Sequence, residues 1–443
     1  MQTSFALAQL ADPQVAESEK ILRACVHCGF CTATCPTYVL GGNELDSPRG
    51  RIYLIKDMLE HDRPATAAVV KHIDRCLTCL SCMTTCPSGV HYMHLVDHAR
   101  THIEKSYRRP LGERFMRALL AALMPYPRRF RLALAAARLG KPFAPLAAAI
   151  GFKRLAATLR LAPWHRPGRP LVPQTFAAAG ARKARVALLP GCVNDVLAPA
   201  INAAAIRLLN RCNVEVALVE GTGCCGALVQ HIGREQQALA QARANIDAWG
   251  GLSGLDAILI TASGCGTTVK DYGFMLRGDR AYAERAARFS SLTKDISEYL
   301  AGLPLTPADD APGLVVAYHS ACSLQHGQRV TRQPKELLAK LGFVVKDVPE
   351  GHLCCGSAGT YNILQPDIAR RLRARKVGTI ERLRPDVIAA GNLGCITQIA
   401  AGTHLPVVHT VELIDWATGG PCPPTLLQAH RPGAAVRSAT TAG

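Results

Sequence analysis

Acidic residues are absent from one long stretch of this sequence: no Asp or Glu occurs between positions 114 and 194. Unbroken apolar runs are absent too, because the greasy stretches around 118–161 are cut repeatedly by Arg, Lys and Pro. A bilayer-crossing helix needs about 18 or more apolar residues, so none is expected. The opening residues, MQTSFALAQLADPQVAESEK, lack the basic start and apolar core of a secretion signal, which places the chain where thiols stay reduced and makes disulfides the wrong default. Aromatic residues amount to 5%, which leaves little for stacking on nucleic-acid bases.

What is present reads as folded and basic. At roughly 100–200 residues per domain, 443 residues predict two to four domains. The hydrophobic share is 49% and the load of 37 Gly and 28 Pro is ordinary for globular protein. The formal charge is +18, and nearly all of it sits between residues 100 and 185, where 19 Lys and Arg face only Glu104 and Glu113. Prolines in LMPYP, GKPF and APWHRPGRP divide this segment into short helical pieces, expected at 128–139 and 152–161. In RRFRLALAAARL, apolar residues recur between the charges, the pattern of a helix with one greasy and one cationic face. The segment is a connector packed on its own domains, or one that meets an anionic membrane surface or acidic partner. Without a recognition motif, nucleic acid is not expected as a partner.

The 18 cysteines are clustered. Cys25, Cys28, Cys31 and Cys35-Pro36 have the spacing C-x2-C-x2-C-x3-C-P, which recurs at Cys76, Cys79, Cys82 and Cys86-Pro87. The tight spacing wraps three thiolates around one corner of a cubane iron–sulfur cluster, while the fourth, offset by three residues, reaches the other cluster. Cys25, Cys28, Cys31 and Cys86 are therefore assigned to one [4Fe-4S] cluster, and Cys76, Cys79, Cys82 and Cys35 to a second. Zinc sites favour two separated pairs instead. Between the runs, Ile52, Leu54, Ile55, Met58 and Leu59 fit one helical face after a Pro48/Gly50 break, and a second helix is expected over 65–74. This is an α-helical ferredoxin. Arg49 and Arg51 are read as solvated or salt-bridged.

The remaining cysteines repeat with a period of 130. Cys192, Cys224, Cys225 and Cys265 correspond to Cys322, Cys354, Cys355 and Cys395, and Gly226 and Gly264 to Gly356 and Gly394. Each cysteine follows a β-type run, from VALLPGC to VIAAGNLGC, with helical periodicity between, at 198–210, 234–248, 331–341 and 366–383. Each module is thus a βαβαβ unit with a parallel sheet, and three strand ends deliver four sulfurs to one point. These sulfurs are candidate ligands for a further iron–sulfur cluster or a zinc ion in each module. Gly221-Thr-Gly-Cys-Cys-Gly226 spells a dinucleotide fingerprint, but its mate Gly351-His-Leu-Cys-Cys-Gly356 lacks the middle glycine, so the glycines serve the sulfurs. Cys212 and Cys422 have no repeat mates.

These motifs resemble a family of iron–sulfur subunits in which a two-cluster ferredoxin precedes two CCG (cysteine-rich) domains. RACVHCGFCTATCPTY, ELDSPRGRIYLIK and ASGCG-x2-VK-x-YG look most like its glycolate oxidase branch. The resemblance implies a subunit without catalytic residues of its own in a membrane-associated 2-hydroxy-acid dehydrogenase complex. It implies electrons taken from a FAD-bearing partner subunit that converts glycolate to glyoxylate, and passed toward the respiratory chain and its quinone. Relatives serve lactate or glycerol-3-phosphate instead, and an iron–sulfur sensor or nucleic-acid-binding protein that uses the basic connector is the alternative from another class. Accordingly, no flavin fingerprint and no His/Arg constellation for a 2-hydroxy acid is found here. Heterodisulfide-cleaving relatives carry a fifth cysteine where this chain has Thr268 and Gln398, so a noncubane centre is not expected. The domain reading is ferredoxin over 1–105, connector over 106–184, modules over 185–305 and 306–418, and a tail over 419–443, at the cytoplasmic face of the inner membrane.

Overall fold

Short polar side chains and prolines start the N-terminal helices in this computed structural model, which describes residues 1–152, 155–156, 158–159, 169–308 and 313–429. Asp12 caps Pro13–Ala24, Ser47 caps Pro48–Glu60 and Thr66 caps Ala67–Asp74, each side chain accepting from a backbone N–H of the first turn. Together with Tyr92–Ser106 these helices enclose a core that includes Ile21, Leu22, Ile55, Ile73, Leu95 and Val96. Gly50 is not a break, as expected from sequence, but lies inside its helix. A Cβ there would stand 2.0 Å from the Glu44 carbonyl, so glycine lets the helix pack onto the turn Glu44–Asp46. Both cysteine runs occupy loops leading into one-turn helices, Phe30–Thr34 and Ser81–Thr85.

The basic connector forms helices Leu111–Leu123, Pro127–Gly140 and Ala144–Ala149. Half of the helix expected at 152–161 lies outside the described residues. Part of the connector's charge is internal: Arg109 and Arg117 are buried against Asp74 of the helical domain, at 2.6 and 2.8 Å.

Runs of Val, Ile, Leu and Ala buried on both faces build the central strands of the two sheets, as parallel strands covered by helices require. The first contains β1 (Thr175–Phe176), β2 (Ala184–Leu189), β3 (Val214–Ala217), β4 (Ala257–Ile260) and β5 (Thr293–Asp295), in the order β1-β3-β2-β4-β5. The second contains β6 (Val315–His319), β7 (Val344–Asp347), β8 (Val387–Ala390) and β9 (Val407–His409), in the order β7-β6-β8-β9. All pairings are parallel except that of β1 with β3. The repeat is therefore exact in topology. Each module adds a fourth strand to the expected three, and the first also recruits a two-residue strand from the connector.

In both sheets the chain reverses its direction of travel beside the first strand, and such switch points open a crevice at the carboxyl ends. The two modules meet at those ends. His409 donates from Nε2 to the Thr261 carbonyl at 2.8 Å, Ser263 N–H donates to the Gly391 carbonyl at 3.2 Å, and the hydroxyls of Ser263 and Ser323 lie 2.7 Å apart. One apolar core runs through both modules, and helix Thr410–Ala417 of the second lies on Pro199–Arg211 of the first. There Asp415, 1% exposed, accepts from Arg207 and Arg211.

Candidate metal centres

The loop geometry of the helical domain brings the two cysteine runs together crosswise. Cys25, Cys28, Cys31, Cys82 and Cys86 line one cavity with Pro48, Ile52, Val90 and Tyr92. Burial pushes the Cys31 thiol up to about 11, and the charges of Cys25 and Cys35 add to this. Cys82 is raised by burial and then by Cys79, Cys76, Cys35 and Cys31. Cys82 and Cys86 of the second run thus share a cavity with Cys25, Cys28 and Cys31 of the first, and the charge of Cys35 acts on Cys31 of its own run and on Cys79 and Cys82 of the other. All 18 cysteines are free of disulfides. Packed sulfur donors that raise one another's pKa suit a cationic centre, which would hold them as thiolates, so the donor set fits iron–sulfur clusters.

Three arginines support these loops. Arg49 pairs with Glu44 at 2.6 Å, as expected of a salt-bridged residue. Arg51 is not solvated: it is 1% exposed, donates to the His72 carbonyl at 2.8 Å and Thr37 Oγ1 at 3.0 Å, and places Nη1 3.8 Å from Cys35 Sγ. Its ion-pair partner Asp46, 3.7 Å away, also meets His72 and Arg75. Buried Arg100 donates to the Cys76 carbonyl at 2.8 Å and Thr78 Oγ1 at 2.6 Å. The sequence reading missed Arg100 altogether, since its role depends on helix Tyr92–Ser106 folding back over the second cysteine loop.

In the first module, Cys192 donates to Cys224 Sγ at 3.5 Å, and Cys225 lies between Cys224 and Cys265. The hydrogen bonds from Cys192 and Cys225 lower Cys224, while the same contact raises Cys192. Asn245 clamps the loop by donating to the Cys224 carbonyl, and Tyr272 donates to that of Cys225. In the second module Cys322 and Cys354 are 3.7 Å apart, and Cys355 bonds to Cys354 and Cys395. Gly226 and Gly356 follow the paired cysteines with φ of +94° and +89°, and a Cβ on Gly356 would meet the Ala369 carbonyl at 2.7 Å. This left-handed turn is what the glycines provide.

The two modules differ around their sulfurs. Beside Cys354 and Cys355 stands buried Lys376, which donates to the Glu350 carbonyl at 2.7 Å and whose pKa burial lowers. The corresponding residue of the first module is Ile246, in the apolar core. The helical domain touches the second module's sulfurs: Cys79 packs in one buried cluster with Cys354, Cys355 and Cys395, and after burial Cys322 acts most strongly on its thiol. Thr84 Oγ1 lies 2.7 Å from His326 Nδ1, and Tyr361 donates to the Arg75 carbonyl at 3.0 Å, which holds this junction together.

With this geometry in place, comparison with known proteins is specific. A 4Fe-4S dicluster domain matches residues 21–90, and the cysteine-rich domain (CCG) matches 186–270 and 316–400. A dicluster head on two cysteine-rich modules defines an iron–sulfur subunit of an oxidoreductase, with two [4Fe-4S] clusters as cofactors. The glycolate oxidase iron-sulfur subunit of Escherichia coli (strain K12) is 43% identical over 94% of this chain and 99% of its own length. The probable glycolate oxidase iron-sulfur subunit of Bacillus subtilis (strain 168) is 31% identical over 89% and 94%. The chain belongs to the glycolate oxidase iron–sulfur subunit family. Lactate utilization protein A 2 of Bacillus cereus (strain AH820) is 25% identical over 52% of this chain and 97% of its own. A crystal structure of a hypothetical protein from Helicobacter pylori shares the fold alone, with a TM-score of 0.55 at 10% identity over 95% of this chain and 75% of that one.

Proposed function

We propose that this chain is the electron-transfer subunit of a glycolate dehydrogenase complex, taking electrons from a flavin-bearing subunit that oxidises glycolate to glyoxylate and delivering them to a membrane quinone. Cys25, Cys28, Cys31 and Cys86 would hold one [4Fe-4S] cluster and Cys76, Cys79, Cys82 and Cys35 the other. Each cluster, when bound, supplies one-electron redox chemistry. The chain's own residues hold the thiolates in place, compensate their charge through Arg51 and Arg100, and bury Cys25, Cys35, Cys76 and Cys79 away from water.

The observation that carries the reading is the continuous series of sulfur sites. Cys28 is exposed beside Val26 and Phe30, which are 67% and 64% exposed and offer an apolar landing for a partner. From there Cys82 of the second run lines the same cavity, and Cys79, three residues before it, packs with Cys322, Cys354, Cys355 and Cys395 of the second module. At the far side a cavity of about 490 Å³ lies under the connector, lined by Leu123, Phe130, Leu134, Ile363 and Leu393 and reaching Val193 and Gly394, the chain neighbours of Cys192 and Cys395. Its size and apolar lining suit a quinone. Leu132, Leu139, Phe143 and Ile150 are exposed on the connector, and Arg128 and Arg129 are exposed on the same helix as Leu132 and Leu139, a surface suited to an anionic membrane. Among the described residues no helix is long and apolar enough to cross a membrane.

The test is co-purification and turnover. The chain is expected to isolate with a flavoprotein, and the complex to need it for glycolate-dependent quinone reduction. A complex that reduces quinone equally well without this chain overturns the proposal.

A further inference from the structure

The second module contains a donor that the cysteine pattern does not predict. His319, the last residue of β6, is 1% exposed, and neither Nδ1 nor Nε2 has a hydrogen-bond partner. Buried polar side chains are overwhelmingly hydrogen-bonded, so two orphaned nitrogens on one ring call for an explanation. The surroundings offer one: a ring nitrogen of His319 and the Sγ atoms of Cys355 and Cys395 all lie within 4.8 Å of one another. Asn392 Nδ2 stands 3.6 Å from Cys395 Sγ on the same side. At the equivalent place in the first module, 130 residues earlier, stands Leu189, buried in an apolar core with Cys225. The imidazole is therefore not a requirement of the fold, since the same strand end is built without one.

We propose that His319 is a metal ligand, which makes the second module's centre a mixed nitrogen–sulfur site with Cys355 and Cys395, while the first module's site remains all-sulfur. The proposal rests on the reading of the cysteine-rich modules as metal sites. Imidazole beside thiolates suits two occupants, a tetrahedral zinc ion or an iron–sulfur cluster with nitrogen on one iron. In either case the bond formed is metal to imidazole nitrogen, and it accounts for at least one of the orphaned atoms.

The experiment uses the full chain purified anaerobically, with histidine labelled with nitrogen-15, and reads metal content together with coordination. For iron the readout is nitrogen hyperfine coupling in pulsed electron paramagnetic resonance of the reduced protein; for zinc it is a nitrogen shell in X-ray absorption. The wild type is expected to show histidine nitrogen on a metal beyond the two ferredoxin clusters. His319→Leu, the first module's own residue, is expected to abolish that signal and to lose the metal of one site. His319→Cys restores a soft ligand and is expected to retain the metal without the nitrogen signal, which covers the case in which the leucine variant fails to fold. Cys192→Ser, in the other module, leaves the nitrogen signal unchanged. A nitrogen signal that persists in His319→Cys overturns the assignment. So does a wild type with metal in the ferredoxin clusters alone, a result that leaves the electron-transfer reading standing because the ferredoxin clusters remain.

Discussion

Arg51 balances two kinds of negative charge at once, the Asp46 carboxylate and the sulfur of Cys35. Without Arg51 the Asp46 carboxylate keeps His72 and Arg75, so the loss is that of buried charge-assisted hydrogen bonds to the His72 carbonyl and Thr37, about 1.5–3 kcal/mol. Arg51→Met is expected to destabilise the protein by about that amount, read as the shift in denaturant midpoint at constant slope. Gly356 makes a different demand, since its φ of +89° and the Ala369 carbonyl at 2.7 Å leave no room for a methyl group. Gly356→Ala should cost about 2–3 kcal/mol. Gly359→Ala, at φ +64° with open space around it, should cost about 1 kcal/mol in the same assay. All sixteen proposed cysteine ligands and Gly356, the repeat mate of Gly226, were legible in the sequence, because spacing and repetition are properties of the chain itself. Arg100, Lys376 and His319 were not, because each acquires its role only when a distant element folds over it.

Among the elements, helices that begin on a proline or capping residue and strands that are continuous apolar runs could be read directly. The short β5, with sequence Thr-Lys-Asp, could not, since it carries no apolar signature and is a strand only because β4 pairs with it. Its last residue, Asp295, caps the helix Ile296–Leu300 by accepting from Ser297, while Oδ2 is buried without a partner. Burial pushes this carboxyl up to about 6, against the opposing bonds from Ser297. The folded protein therefore holds this proton more tightly than the unfolded chain, whose value is about 3.9, and stability falls as pH rises between about 4 and 6 and stays lower above. Asp295→Asn keeps a capping oxygen and removes the charge. It should raise stability by about 1–2 kcal/mol above pH 6 and leave it unchanged below pH 4, as followed by thermal unfolding across pH.

For the molecule as a whole, the connector decides how the chain meets a surface. Its inner side is tied to the helical domain through Asp74, whereas Leu132 and Leu139 stand 74% and 80% exposed on the outer side of one helix. Binding to vesicles containing anionic lipid should weaken as salt rises. Leu132→Asp with Leu139→Asp should reduce it about tenfold in a sedimentation assay without lowering thermal stability, since neither side chain is in a core. The architecture of two modules followed from the 130-residue repeat, but their interlocking did not, because no local pattern announces that a late helix will complete an early core.

That interlock bears on how the protein is made. Asp415 is 204 residues beyond Arg211 in the chain, yet its helix closes the apolar face that Leu208 and Leu209 present. At a synthesis rate of about 5–20 residues per second, the first half waits on the ribosome for roughly 10–40 s with that face uncovered. A nascent chain stalled before residue 410 should consequently be a client of holdase chaperones, and assembly of the inorganic centres in the early half must either tolerate this open intermediate or follow its closure.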